Sequence, residues 1–131
     1  MKALVTLLAA GFLLSTITAG EPPAAKLKLQ AAEVNFLIGL NSENDGLKTS
    51  SAYNLGELQS QKAVIPLLKM LRNDEKECNR IMAALALYKI GDARGMNAIK
   101  QRIRFDKCER VRKMCSTLYA QYLLNGKSEN V

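Results

Sequence analysis

The chain has 131 residues, 48% hydrophobic and 24% charged, with a formal net charge of +7, three Cys, and neither His nor Trp. That length fits one domain, and the apolar share is that of a globular chain rather than a disordered one. Without His, the usual general base near neutral pH is missing, and Ser-His-Asp, Cys-His and His-zinc chemistry are excluded.

Lys2 followed by the uncharged run Ala3 to Ile17, then Thr18-Ala19-Gly20 before Glu21-Pro22-Pro23, has the layout of a secretory signal peptide. We expect residues 1–20 to be removed after Ala19 or Gly20, sending the protein to the periplasm or outside the cell. The apolar run of about 15 residues is short against the roughly 20 that a spanning helix needs. A retained membrane anchor is the alternative. Cleavage would leave about 111 residues at net charge +6, since Lys2 is the only charged residue lost. A core of that size can fold alone.

Beyond a Pro-led linker and helix start at 21–31, the sequence repeats over 32–126 before a polar tail at 127–131. Gly56, Gly91 and Gly126 are 35 residues apart, each closing an apolar helical segment. Glycine takes the left-handed conformation that ends helices without steric cost, so this spacing predicts three recurring helix ends. Asp74-Glu75-Lys76-Glu77 recurs 32 residues later as Asp106-Lys107-Cys108-Glu109, each read as a helix cap with Glu reaching back. Ala63-Val64 and Leu68 recur as Ala98-Ile99 and Ile103. Two helices per period of 30 to 45 residues mean a stacked solenoid unit.

The predicted elements in chain order are helices near 27–41 and 46–58, then 63–72 and 75–90, then 95–105 and 107–124. Leu27, Ala31, Val34, Leu37 and Ile38 form the apolar stripe of the first. Pro66 suits the first turn of the third, where a missing N–H matters least. Ile81 to Ile90 is apolar nearly all round, which predicts a helix covered on every side in the middle of the stack. Val111, Met114, Cys115, Leu118, Tyr122 and Leu123 form the face of the last. No segment alternates with period two, so no sheet is expected. The fold class is all-α: a short solenoid of about three helix pairs.

The run Ala63-Val64-Ile65-Pro66-Leu67-Leu68, with Asp74, Arg80, Ala84-Leu85 and Ile90-Gly91, resembles a HEAT-like repeat. The third unit matches through Asp106 and Val111-Arg112, the first through Leu47-Lys48, Leu55 and Gly56. The resemblance spans about residues 32–124. It implies that Asp74, Arg80, Asp106 and Arg112 form a ladder tying units together. The first unit departs from this pattern, with Ser42 and Lys48 at the matching places. The family includes phycobilin lyase-like and scaffold proteins, so membership implies partner binding and nothing narrower.

Lys100, Arg102, Arg104, Lys107, Arg110, Arg112 and Lys113 against Asp106 and Glu109 leave a net +5 in fourteen residues. Such a segment attracts acidic proteins, lipid head groups or glycans, or else is a solvated, salt-bridged face. Nucleic acid is disfavoured, because the segment lacks interleaved aromatics and export removes the usual target. Cys78 and Cys108 open the second helices of adjacent units and are the candidate disulfide, with Cys115 a buried apolar residue; three unpaired thiols are the alternative. Cys108 and Cys115, about 10 Å apart along one helix, cannot bond to each other. No CxxC spacing supports a metal, and no Gly-rich fingerprint supports a nucleotide or other cofactor. Glu75/Glu77 and Glu43/Asp45 read as helix starts. Tyr53 and Tyr88, 35 apart, read as packing groups. The expectation is therefore a non-enzymatic, exported module that binds a protein through the solenoid surface. The alternatives are an envelope-associated anion binder using Lys100, Arg102, Arg104, Lys107, Arg110 and Lys113, and an enzyme with Cys78 or Cys108 as nucleophile. An apolar solenoid end would favour self-association.

Overall fold

The computed structural model describes residues 20 and 22–128. The expected signal peptide therefore lies, apart from Gly20, outside the described residues, as does the end of the expected tail from 129 on. Among the described residues there are six α-helices and no strand: α1 (Pro23–Gly39), α2 (Asp45–Glu57), α3 (Val64–Asn73), α4 (Glu77–Ile90), α5 (Ala93–Phe105) and α6 (Glu109–Ser128). None is long and apolar enough to cross a membrane.

Local chemistry accounts for most of the boundaries. Pro23 occupies the first position of α1, where its fixed φ favours the helix, so the expected linker is helical from there on. Asn44 caps α2 by accepting from the Leu47 N–H at 3.1 Å. Asp92 caps α5 by accepting from the Arg94 N–H at 2.8 Å. A 3-10 turn, Gln61–Ala63, leads into α3, where Pro66 falls in the first turn. Asp74 and Asp106 do not form the expected capping boxes. Each is extended, and its carboxylate accepts from the N–H two residues on, ahead of the helix. Their Glu partners, Glu77 and Glu109, turn outward to Arg110 and Lys113.

The helices pair as α1–α2, α3–α4 and α5–α6, and α2, α4 and α6 pack consecutively as an inner layer. No residue of α4 from Asn79 to Ile90 is exposed, as expected for a helix covered on every side. Leu55, Leu67, Leu71, Ile99, Val111 and Cys115 of the other helices are fully buried, as is Leu87 of α4 itself.

The glycine series divides into three different roles. Only Gly91 takes the left-handed conformation, with φ 74°, and it ends α4. Gly56 lies within α2, where a Cβ would stand 2.9 Å from Ala86 Cα; its hydrogen lets α2 and α4 approach. Gly126 lies within α6, which continues to Ser128 and takes in the start of the expected tail. In the first pair the left-handed residue is Gln59, with φ 48°.

The expected stripe of α1 is also corrected. Leu27 and Ile38 are 68% and 66% exposed, Val34 and Ala31 are exposed too, and only Leu37 of the five packs on the core, beside Phe36. An outermost helix has a neighbour on one side only, so part of its apolar surface stays open. In α6, Val111, Cys115 and Leu118 are buried, while Met114, Tyr122 and Leu123 are exposed.

Candidate functional site

Turns at 42, 74 and 106 are built alike, 32 residues apart. Ser42 accepts from the Asn44 N–H at 3.1 Å, Asp74 from the Lys76 N–H at 3.0 Å, and Asp106 from the Cys108 N–H at 2.9 Å. A cation six residues on then reaches across to the next turn. Lys48 Nζ meets Asp74 Oδ2 at 3.1 Å, and Arg80 grips Asp106 through Nε and Nη2 at 3.0 and 2.9 Å. Arg80 Nη1 also donates to the Asp74 and Glu75 carbonyls, both at 2.9 Å. The side chains of Arg80 and Asp106 are 3% and 1% exposed. Burial pushes the Asp106 carboxyl up, but the Arg80 guanidinium and the Cys108 N–H hold it below its ordinary value overall. Asp74 is likewise held low against burial, by the Lys76 N–H, the Asn79 amide and Lys48. Lys48 thus makes the first unit's inter-unit contact although it is not Arg.

A second set of pairs runs with opposite polarity: Asp45 with Lys76, Glu77 with Arg110, and Glu57 with Lys89. Buried Asn79 donates to Asp45 and Asp74 at 2.9 and 3.0 Å, joining the two sets. Nothing in the sequence marks Asn79 for this role beyond its place one residue before Arg80.

The inner layer is packed more closely than the outer one. α3 touches α5 only lightly, and α1 packs on α2 far more than on α3. A stack closer on one side curves toward that side, so α2, α4 and α6 carry the concave face. Three rows cross it at the 32-residue period: Ser50, Met82 and Met114; Tyr53, Leu85 and Thr117; Glu57, Lys89 and Gln121. All nine are exposed or half-buried. Tyr53 is 44% and Met114 37% exposed, and Lys89 Nζ sits 4.6 Å from the centre of the Tyr53 ring. The result is an apolar patch of Tyr53, Met82, Leu85 and Met114, bordered by the Glu57–Lys89 ion pair and Gln121. Between the turn that follows α1 and helix α3 lies a cleft of about 470 Å³, lined by Leu40, Ser42, Lys48, Ile65, Pro66 and Lys69 among others.

The basic segment is spread over α5, the following turn and the start of α6. Lys100 lies 5.7 Å from the centre of the Tyr119 ring, Arg110 pairs with Glu77, and Lys113 pairs with Glu109 at 3.0 Å. Arg112 Nη1 donates to the Asp106 carbonyl at 2.8 Å. Arg102 and Lys107 line a small cleft with Arg72, Asp74, Arg80 and Asp106. Arg104 and Lys107 are exposed and make no ion pair among the described residues. The seven cations therefore face several directions.

The candidate disulfide is absent: all three cysteines are free. The Cys108 thiol donates to Glu77 Oε2 at 2.6 Å, and the Cys78 thiol turns to the Asn79 side chain at 3.6 Å. The rung between Glu77, Cys108 and Arg110 holds Cys108 on a carboxylate rather than on sulfur. Cys115 is fully buried, and burial pushes its thiol up to about 11. Among the described residues no group of three Cys, Asp or Glu could hold a metal ion.

A family model described as HEAT repeats matches residues 34–118. The chain belongs to the HEAT-repeat family. HEAT repeats commonly mediate protein interaction and are typically non-enzymatic scaffolds. No curated protein matches the chain.

Proposed function

We propose that this protein is an exported, non-enzymatic binding module that holds a polypeptide segment along its concave face. The observation that carries the reading is the pair of exposed side chains Tyr53 and Met114, with half-buried Met82 and Leu85, on the face that the inner helices share. Aromatic and Met side chains around a desolvated centre, with charge at the rim, suit a protein interface. Export rests on the character of residues 1–20.

The test replaces exposed groups of the patch, which leaves the core intact. Tyr53→Ala with Met114→Lys is expected to lower affinity for the partner captured from the native host by about tenfold or more. Undiminished capture by a variant that melts like wild type would sink the reading. Export is checked by intact mass from the host: cleavage removes about 2 kDa, as a 20-residue leader would. Retention of that mass would mean an anchor or no export. The basic segment supports a second reading through exposed, unpaired Arg104 and Lys107. It predicts capture that falls steeply with salt and is lost on reversing Arg102, Arg104 and Arg110.

A further inference from the structure

Each internal joint of the stack is closed by a rung in which a cation of one unit grips the turn acid of the next. Lys48 reaches Asp74, and Arg80 reaches Asp106. Arg112 is the third member of this series at the same 32-residue interval, and it repeats half of the Arg80 arrangement. Its Nη1 donates to the Asp106 carbonyl at 2.8 Å, as Arg80 Nη1 donates to the Asp74 carbonyl at 2.9 Å. The Nε and Nη2 of Arg80 close on Asp106, whereas those of Arg112 have no acceptor among the described residues. The guanidinium is thereby held by its own turn with the carboxylate-binding edge left over. The opposite-polarity rung is incomplete at the same end. Asp45 and Glu77 pair with Lys76 and Arg110 of the following unit. Glu109, which takes their place in the third unit, pairs instead with Lys113 on its own helix, both side chains well exposed. Such a pair contributes little and exchanges readily.

We propose that this end of the stack is an open joint that receives a partner polypeptide as a further stacked element, with Arg112 binding a carboxylate of that partner. The proposal rests on the protein-binding reading and adds a second surface to it. The internal joints specify the partner's chemistry: an acid at a turn leading into a helix, with a base two to four residues later. That is the spacing of Asp74 to Lys76 and of Asp106 to Arg110. The Arg fork matches a carboxylate in two parallel bonds, which Lys cannot do. The base would take Glu109 from Lys113. A second copy stacked head to tail does not fit, because its leading turn offers Ser42 where the acid is needed, and Asn44 and Gly46 where the base is needed.

The test uses the full chain in its native host, with a photoreactive residue in place of exposed Ser116, one turn beyond Arg112, or of exposed Ser50 on the concave face. A polypeptide joined at 116 is expected. Its yield should fall about tenfold or more in Arg112→Glu and in Arg112→Gln, and fall less in Arg112→Lys. The joined segment should carry Asp or Glu followed by Lys or Arg within four residues, and reversing that acid to Arg should restore the yield with Arg112→Glu. If Arg112→Glu melts below wild type, the Gln variant and the reversal decide. A product at 116 indifferent to Arg112, or one formed with a second copy, overturns the proposal. Products from 50 but none from 116 overturn it while leaving the concave-face reading intact, and no product from either position overturns both.

Discussion

Replacing Asp106 with Asn tests whether the Arg80 rung is what holds the second and third units together. Arg80 and Asp106 are almost wholly buried and bonded through two parallel contacts, with Arg80 Nη1 spent on two backbone carbonyls. The amide removes the negative charge and turns a donor or a single weaker acceptor toward the guanidinium. Breaking a buried pair by removing one member leaves an uncompensated charge and costs about 3–5 kcal/mol. Against a total stability of about 5–15 kcal/mol, that is a large fraction. For a chain of this size it corresponds to a fall in Tm on the order of 10–20 °C. Lys48→Met is the internal comparison. That pair makes one bond at 3.1 Å, and Asp74 keeps the Lys76 N–H and the Asn79 amide, so the expected loss is only about 1 kcal/mol. Removing both charges with Arg80→Met and Asp106→Leu should cost less than Asp106→Asn alone, because no charge is left buried. Thermal and urea unfolding followed by circular dichroism read all three. An Asp106→Asn variant no less stable than Lys48→Met would refute the rung as the dominant inter-unit tie.

The three glycines should respond differently to Ala in the same assay. Gly56→Ala places a Cβ against the Ala86 backbone and should destabilise by about 1–3 kcal/mol. Gly91→Ala imposes left-handed strain of about 1–2 kcal/mol. Gly126→Ala, inside α6 where Ala is the better helix former, should be neutral or stabilise by up to about 1 kcal/mol; equal losses at all three would reinstate a common helix-ending role. In native protein, Cys78 should react with a thiol reagent before Cys108, and Cys115 only on unfolding. Failure to label Cys78 or Cys108 until a reductant is added would mean that they are bridged. Stability should also fall in acid. Asp74 and Asp106 have depressed folded values, so their contribution is full above the unfolded Asp value of about 3.9 and is lost as pH drops through the folded values. Tm should hold down to about pH 5 and drop below about pH 4, less so in Asp106→Asn, which lacks one of these groups. An identical acid drop in that variant would show that other groups govern it.

The number and order of helices and the central place of α4 were legible in the sequence, because apolar periodicity and length reflect local helix geometry and the need to cover an all-round apolar surface. The ladder was legible as residue types at a fixed interval, Asp74 and Arg80 recurring as Asp106 and Arg112. The sequence by itself could not say which turn each cation closes on, since Arg80 lies six residues from Asp74 and 26 from Asp106. Only the packing of α4 beside α6 brings the fork to the farther acid. The glycine spacing was plain, but its meaning was not: Gly56 answers to Ala86 on a neighbouring helix, and Gly126 is passed over by a helix that continues. The stripe of α1 reads as core in the sequence and is largely open in the fold, because periodicity shows that a face is apolar without showing what covers it. Export remains a reading of residues 1–20 alone. The concave patch and the open edge of Arg112 belong to the tertiary structure, which alone decides where the stack curves and which nitrogens of Arg112 its own turn holds.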